Sequence, residues 1–237
     1  MKTSDSTSSK VNCPKAPLSC KPSKTWGGRR AGAGRKNKTR AVNHHRRHRM
    51  YINRPQHITI RMVDKLPSLR QRWFLYEFQR RARRAKKFNF FVLHFAILGN
   101  HLHMIVECKS NRAMELGMRS LIGSLAKTFR ARTYQAGYGP KHGSICNGRY
   151  FAKPIRTARQ MRQTIRYVLM NFAKHKQLIA HIDEFTSAAA FRHWSKLLPM
   201  NPLLLEQLEF LKPQDCGLSP PRSWLARRGW REEVGVK

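Results

Sequence analysis

Alternating apolar and polar positions set in near residue 50. Gln56–Met62 places Ile58, Ile60 and Met62 on one side and His57, Thr59 and Arg61 on the other, the period of a strand with one buried face. Pro67-Ser68 predicts a helix start with Ser68 as N-cap, and Leu69, Trp73, Phe74, Phe78, Ala82 and Ala85 then recur at helical spacing. Phe88–Leu98 is apolar and aromatic nearly throughout, a strand buried on both faces. Gly99-Asn100 breaks it, and His101–Glu107 returns as the second arm of a hairpin.

Asn111 is placed to cap a helix reaching about Thr133, with Met114, Met118, Leu121, Ile122, Leu125 and Phe129 on its inner side. Gln135 to Gly148 holds four glycines and a proline and reads as a loop, followed by a short strand over Arg149–Arg156. Thr157-Ala-Arg-Gln160 is a capping box, and the helix it opens runs to about Lys176. The order β-α-β-β-α-β-α predicts an α+β fold: an antiparallel sheet with helices on a ferredoxin-like, split βαβ plan.

The ends read differently. Residues 1–49 carry fourteen Lys or Arg against one acid and almost no large apolar side chains, so they are expected to form a disordered basic arm. Residues 50–185 form the domain. Residues 186–237 are a partly helical C-terminal extension, with a leucine-rich helix over Asn201–Lys212, that packs on the domain or binds DNA.

Charge narrows the partners. Across 237 residues, 48 Lys+Arg oppose 12 Asp+Glu, a net charge of +36. From Phe78 to Ile182 the acids are Glu107 and Glu115 alone. Such an excess opposes compaction by self-repulsion, and a polyanion offsets it by releasing counterions, so nucleic acid is the expected partner. Candidate phosphate contacts are Arg80, Arg81, Arg83, Arg84, Lys86 and Lys87 at the end of the first helix, with Arg149, Lys153 and Arg156 around the fourth strand. Trp73, Phe129, Tyr134, Tyr138, Tyr150 and Phe151 interleave with basic residues and are candidates to stack on unpaired bases. No apolar run has the length of a membrane span and the N-terminus lacks an apolar signal core, so a soluble, cytoplasmic and nucleoid-associated protein is expected. Five scattered cysteines with no C-x-x-C pair suggest reduced thiols.

Two features carry chemistry. His101-Leu102-His103 sets two imidazoles on one face of a strand, suitable for one divalent metal, while Leu102, Met104 and Val106 face the core. With 11 histidines, chance alone supplies roughly half such a motif per chain, so its place at a strand start after a turn matters more than its occurrence. Glu107 falls on the same strand face and reads as a solvated carboxylate. On the last helix, Met161, Ile165, Val168, Leu169 and Phe172 form an apolar stripe, and Tyr167 lies well away from it with Gln160, Gln163, Thr164, Asn171 and Lys174. A phenol, an amide and two imidazoles are the parts for metal-assisted attack of a tyrosine on a phosphodiester.

Phe95-Ala-Ile-Leu-Gly-Asn-His-Leu-His-Met-Ile-Val-Glu107, with Arg149-Tyr-Phe151, Thr157-Ala-Arg-Gln160 and Tyr167-Val-Leu-Met-Asn171, resembles the bacterial single-tyrosine HUH transposases, most nearly the REP-associated tyrosine transposases. His57-Ile-Thr-Ile-Arg-Met62 and Leu66-Pro-Ser-Leu-Arg70 are similar to that family's first strand and first helix start, and the resemblance covers about residues 50–185. It implies a ferredoxin-like sheet and Mg²⁺ or Mn²⁺ held by His101 and His103, with Asn171 as third ligand and Tyr167 as nucleophile. It further implies cleavage of hairpin-containing single-stranded DNA through a 5′-phosphotyrosine, by a monomer or homodimer. Phe172 stands where members often carry proline, so the helix is expected to continue past Asn171; Gly99-Asn100 likewise replaces a turn that often has proline. The competing reading is a non-catalytic binder of DNA or RNA hairpins. A small-molecule hydrolase using the histidine pair fits poorly with the charge.

Overall fold

The computed structural model describes residues 54–176, 182–197 and 216–231. The predicted basic arm, the leucine-rich helix over 201–212 and the side chains of residues 172–176 lie outside the described residues. Four strands form one antiparallel sheet: β1 (Gln56–Arg61), β2 (Phe90–Ile97), β3 (His101–Cys108) and β4 (Phe151–Pro154), in the order β2-β3-β1-β4. β1 sits between β3 and β4, and β2 pairs with β3 through the predicted hairpin. This is the split βαβ plan: β1 and β2 are joined by a helix and separated by β3.

The alternation in β1 is realised residue by residue. Ile58 and Ile60 are buried on the face covered by α1 (Arg72–Ala85), α2 (Asn111–Met118) and α3 (Ser124–Gln135). Phe74, Phe78, Ala82 and Ala85 of α1 and Leu125 and Phe129 of α3 meet Leu102, Met104 and Val106 there. Each large side chain fully buried in this layer contributes about 1.5–3 kcal/mol. Gly117 lets α2 approach β2, because a Cβ there would collide with the Phe90 side chain.

The opposite face carries α4 (Ala158–Lys176), whose Met161, Ile165, Val168 and Leu169 bury against Phe91, Leu93, Ala96 and Ile105. A bulge between Val92 and His94 sets two residues of β2 against Ile105, so Leu93 and His94 both serve this layer. Two short helices, α5 (Trp194–Leu197) and α6 (Trp224–Arg227), with Phe191 and Trp230, extend the same core. The described parts of the C-terminal extension therefore pack on the domain, with Ser219 N–H donating to Val92 O at 2.8 Å. Phe185 and Ser187 hydrogen-bond along β2 and cover its outer edge, and Arg70 clamps the buried Asp183 carboxylate with two bonds of 2.6 and 2.7 Å.

The helix starts and continuity differ from expectation. Helix α1 starts at Arg72, not beside Ser68; the Ser68 hydroxyl accepts from Arg70 N–H and closes a turn before the helix instead. The second helix is capped by Ser110, whose Oγ accepts from Ala113 N–H at 3.0 Å, one residue before Asn111. That helix is interrupted by a π turn over Arg119–Gly123 before α3 continues. The box at Thr157 is half formed: Gln160 N–H donates to Thr157 Oγ1, while Gln160 Oε1 accepts from Arg156 rather than from Thr157.

Candidate nuclease site

The face of the sheet towards α4 holds a row of polar side chains built by the β1–β3 register. Arg61 pairs with His101, Thr59 with His103 and His57 with Ile105, and directly opposed residues of antiparallel strands share a face. The two histidines of the predicted motif thus lie together, with ring centroids 4.9 Å apart. They are joined by His57, whose ring stacks on His103 at 5.3 Å.

His103 is the centre of the cluster and only 4% exposed. Its Nδ1 lies 3.1 Å from Thr59 Oγ1 and 3.2 Å from His57 Nε2. Its Nε2 faces the Tyr167 hydroxyl at 3.4 Å. Helix phasing put Tyr167 off the core stripe, and it is 42% exposed with its ring edge-on to both His57 and His103. The nucleophile candidate and the histidine pair therefore meet within one chain.

Burial decides the charge of these rings. Desolvation, and then the neighbouring charges of His57 and His101, hold His103 down to about 3; desolvation and then Lys153 hold His57 at about 4. Both are neutral at pH 7, the form in which an imidazole binds a metal. With the His103 lone pair on Nε2, its Nδ1–H donates towards Thr59 or His57, the outer contact that fixes tautomer and ring orientation. His101 turns Nδ1 to Asn100 Oδ1 at 2.8 Å, so a metal would be taken by Nε2 there as well.

Asn171 differs from its sequence reading. It follows Tyr167 by one turn of α4, yet it is 2% exposed rather than on a solvated face, and neither Oδ1 nor Nδ2 has a hydrogen-bond partner. A buried amide without a partner costs about 1–3 kcal/mol and calls for a ligand. Helix α4 runs unbroken to Lys176, as Phe172 in place of proline predicted. Among the described residues no three His, Cys, Asp or Glu side chains form a metal cage. Two neutral imidazoles and an amide suit a divalent ion that keeps positions for water and phosphate oxygens. Of these donors the amide carbonyl is the one that suits Mg²⁺ or Mn²⁺, while imidazole also takes softer divalent ions.

The predicted basic residues are divided between layers. Arg149, Lys153 and Arg156 are exposed on or beside β4, and Lys153 pairs in register with His57. The run Arg80–Lys87 belongs to α1 and the turn after it, in the layer on the other side of the sheet from His103. Arg81 is buried, bonded to Ser124 and Thr128 with Glu77 beside it, so it braces α1 against α3 instead of facing solvent. Arg80 pairs with Glu77, and Lys86 donates to Leu218 O; Arg83, Arg84 and Lys87 are exposed.

Sequence reasoning missed the roles of His57 and Thr59. Their signal was present as the polar alternation of β1, but only the strand register shows that it faces His103. It also misjudged Glu107. That carboxylate is 4% exposed and accepts from Arg222 N–H, Ser223 N–H and Ser223 Oγ, tying the C-terminal segment to β3.

The fold and site together define an α+β protein with a histidine pair and a tyrosine helix on one sheet face. No protein-family model matches the chain, and no curated protein matches it. Among solved structures it is similar to a REP-associated tyrosine transposase bound to a REP hairpin, at 18% identity and a TM-score of 0.46, over 67% of this chain and 88% of that one. No helix among the described residues is long and apolar enough to cross a membrane.

Proposed function

We propose that this chain is a metal-dependent transposase-type enzyme that nicks single-stranded, hairpin-containing DNA and rejoins it through a 5′-phosphotyrosine. The observation that carries the reading is the Tyr167 hydroxyl 3.4 Å from His103 Nε2, with a buried Asn171 amide without a partner one turn further along α4. His101, His103 and Asn171 would hold Mg²⁺ or Mn²⁺. When bound, that ion polarises the scissile phosphate and offsets charge in the transition state.

The chain's own residues do the rest. Helix α4 presents the Tyr167 oxygen at the histidine pair, so the nucleophile is positioned before DNA arrives. The phenol oxygen forms a bond to phosphorus as the bond to the 3′ oxygen breaks; the phenol proton leaves and the 3′ oxygen departs as a hydroxyl. The reverse attack by a 3′-hydroxyl rejoins the strand, with the phosphodiester energy conserved in the tyrosine ester. Lys153, in register with His57 on the site face, and the exposed Arg149 and Arg156 flanking β4 supply phosphate contacts.

Incubation with end-labelled hairpin single-stranded DNA and Mn²⁺ tests the proposal on a denaturing gel. Wild-type protein forms a covalent adduct, and Tyr167→Phe and His103→Ala do not. An adduct that survives Tyr167→Phe removes the assignment.

A further inference from the structure

Six aromatic residues interleave with basic ones, and the structure sorts them by layer. Trp73 and Phe129 stack on each other at 5.9 Å between α1 and α3, and Tyr150 packs against the same core. Tyr134 and Tyr138 are exposed, but they lie at and just beyond the end of α3, on the far side of the sheet from the nuclease site.

Phe151 is different. It pairs in register with Thr59, and Thr59 pairs with His103, so His103, Thr59 and Phe151 form one row across three strands on one face. Ile155, four residues on, is buried in the core under α4 and fixes the side to which Phe151 and Lys153 project. Two strand spacings place the Phe151 backbone about 10 Å from that of His103. That is within reach of the nucleotide next to a phosphate held at His103 and Tyr167.

The residue is 65% exposed on the outermost strand of the sheet, a costly place for a phenyl ring that stacks on no other ring among the described residues. Its surroundings are cationic: Lys153 occupies the neighbouring row beside His57, and Arg61, Arg149 and Arg156 are exposed nearby in sequence or register. An apolar ring framed by cations matches a base with its phosphates and does not match a second copy of so basic a chain.

We propose that Phe151 is a stacking platform for the base adjoining the scissile phosphate, with Lys153 taking the backbone of the same strand. The inference rests on the proposed function for the position of the phosphate, but its test does not use cleavage. The probes are a twelve-nucleotide oligodeoxythymidine and an abasic strand of equal length, titrated by fluorescence anisotropy against the full chain.

Phe151→Ala is expected to weaken binding of the thymidine strand about ten-fold and leave the abasic strand unchanged, because stacking needs a base. Phe151→Trp restores the loss. Lys153→Ala weakens both strands alike and lowers the salt dependence by about one counterion. Equal effects of Phe151→Ala on the two strands, or none on either, overturn the inference. So does a change in the sedimentation coefficient of the DNA-free protein on Phe151→Ala, which would mark this edge as a contact between copies. A base-dependent effect without any covalent adduct upholds base stacking on Phe151 and removes both the nuclease reading and the platform's place beside a scissile phosphate. An adduct with no base-dependent effect does the reverse.

Discussion

His57 Nε2 lies 3.2 Å from His103 Nδ1, on a strand forty-six residues earlier in the chain, and the two rings stack. With Nδ1 turned to His57, His103 presents Nε2 to Tyr167, and a proton held at Nδ1 would leave the lone pair at Nε2. Thr59 Oγ1 touches the same Nδ1, so the two β1 side chains share the task. The His57→Ala protein is expected to bind Mn²⁺ about ten-fold more weakly while still folding, read by calorimetric titration. His57→Ala combined with Thr59→Val should lose close to one hundred-fold. Unchanged Mn²⁺ affinity in the double variant would show that His103 needs no outer partner.

Asn171 allows a test that separates binding from stability. Its amide is buried with both polar atoms unpartnered, so the metal-free protein bears the desolvation of a group that gains nothing. Asn171→Leu, which keeps the branched side-chain skeleton but is larger, should leave metal-free stability equal or raise it by about 1–2 kcal/mol in urea titration. The same variant should bind Mn²⁺ at least ten-fold more weakly. A loss of stability of 2 kcal/mol or more would mean that the amide serves the fold.

How far the sequence speaks depends on the range of the interaction. The strands, α4 and its core stripe follow from local periodicity, and Tyr167 came out on the open side because Met161, Ile165 and Val168 phase the helix. Asn171 did not, since helix phasing reports which side faces the sheet and not what else covers the remainder. His57 and Glu107 were opaque for the same reason. The role of one depends on the β1–β3 register, and that of the other on a segment more than one hundred residues away. Arg81 looked like part of a solvated basic run, yet its neighbours Ser124 and Thr128 are supplied by another helix.

Glu107 should prove an anchor for the C-terminal segment. Three donors from Arg222 and Ser223 converge on its carboxylate, and Ser223 Oγ also accepts from Ala226 N–H to cap α6. Hydrogen bonds to a charged group contribute about 1.5–3 kcal/mol, and they are not additive. Glu107→Ala is expected to cost roughly 2–4 kcal/mol and to expose residues 219–231 to limited proteolysis. Glu107→Gln should retain part of that stability. A protease-resistant C-terminus in Glu107→Ala would assign the docking to Leu225, Ala226 and Trp230 alone.

Acid should loosen the fold well above the pH at which carboxylates titrate. Burial lowers His94 to about 4, with Ser187 Oγ at 3.5 Å and the Phe191 ring beside it, and it lowers His57 to about 4 and His103 to about 3. Each of these rings takes up a proton more readily in the unfolded chain, where the ordinary value near 6.5 holds. The folded state is therefore at full strength above pH 6.5 and loses stability as pH falls towards 4. Below that, His57 and His94 take no further part, because both states are then protonated. His94 alone accounts for at most roughly 3 kcal/mol across this window. Urea unfolding of the metal-free protein from pH 7.5 to 4.5 should show the decline, and His94→Leu should make it shallower. An equally steep decline in that variant would place the acid sensitivity in His57 and His103.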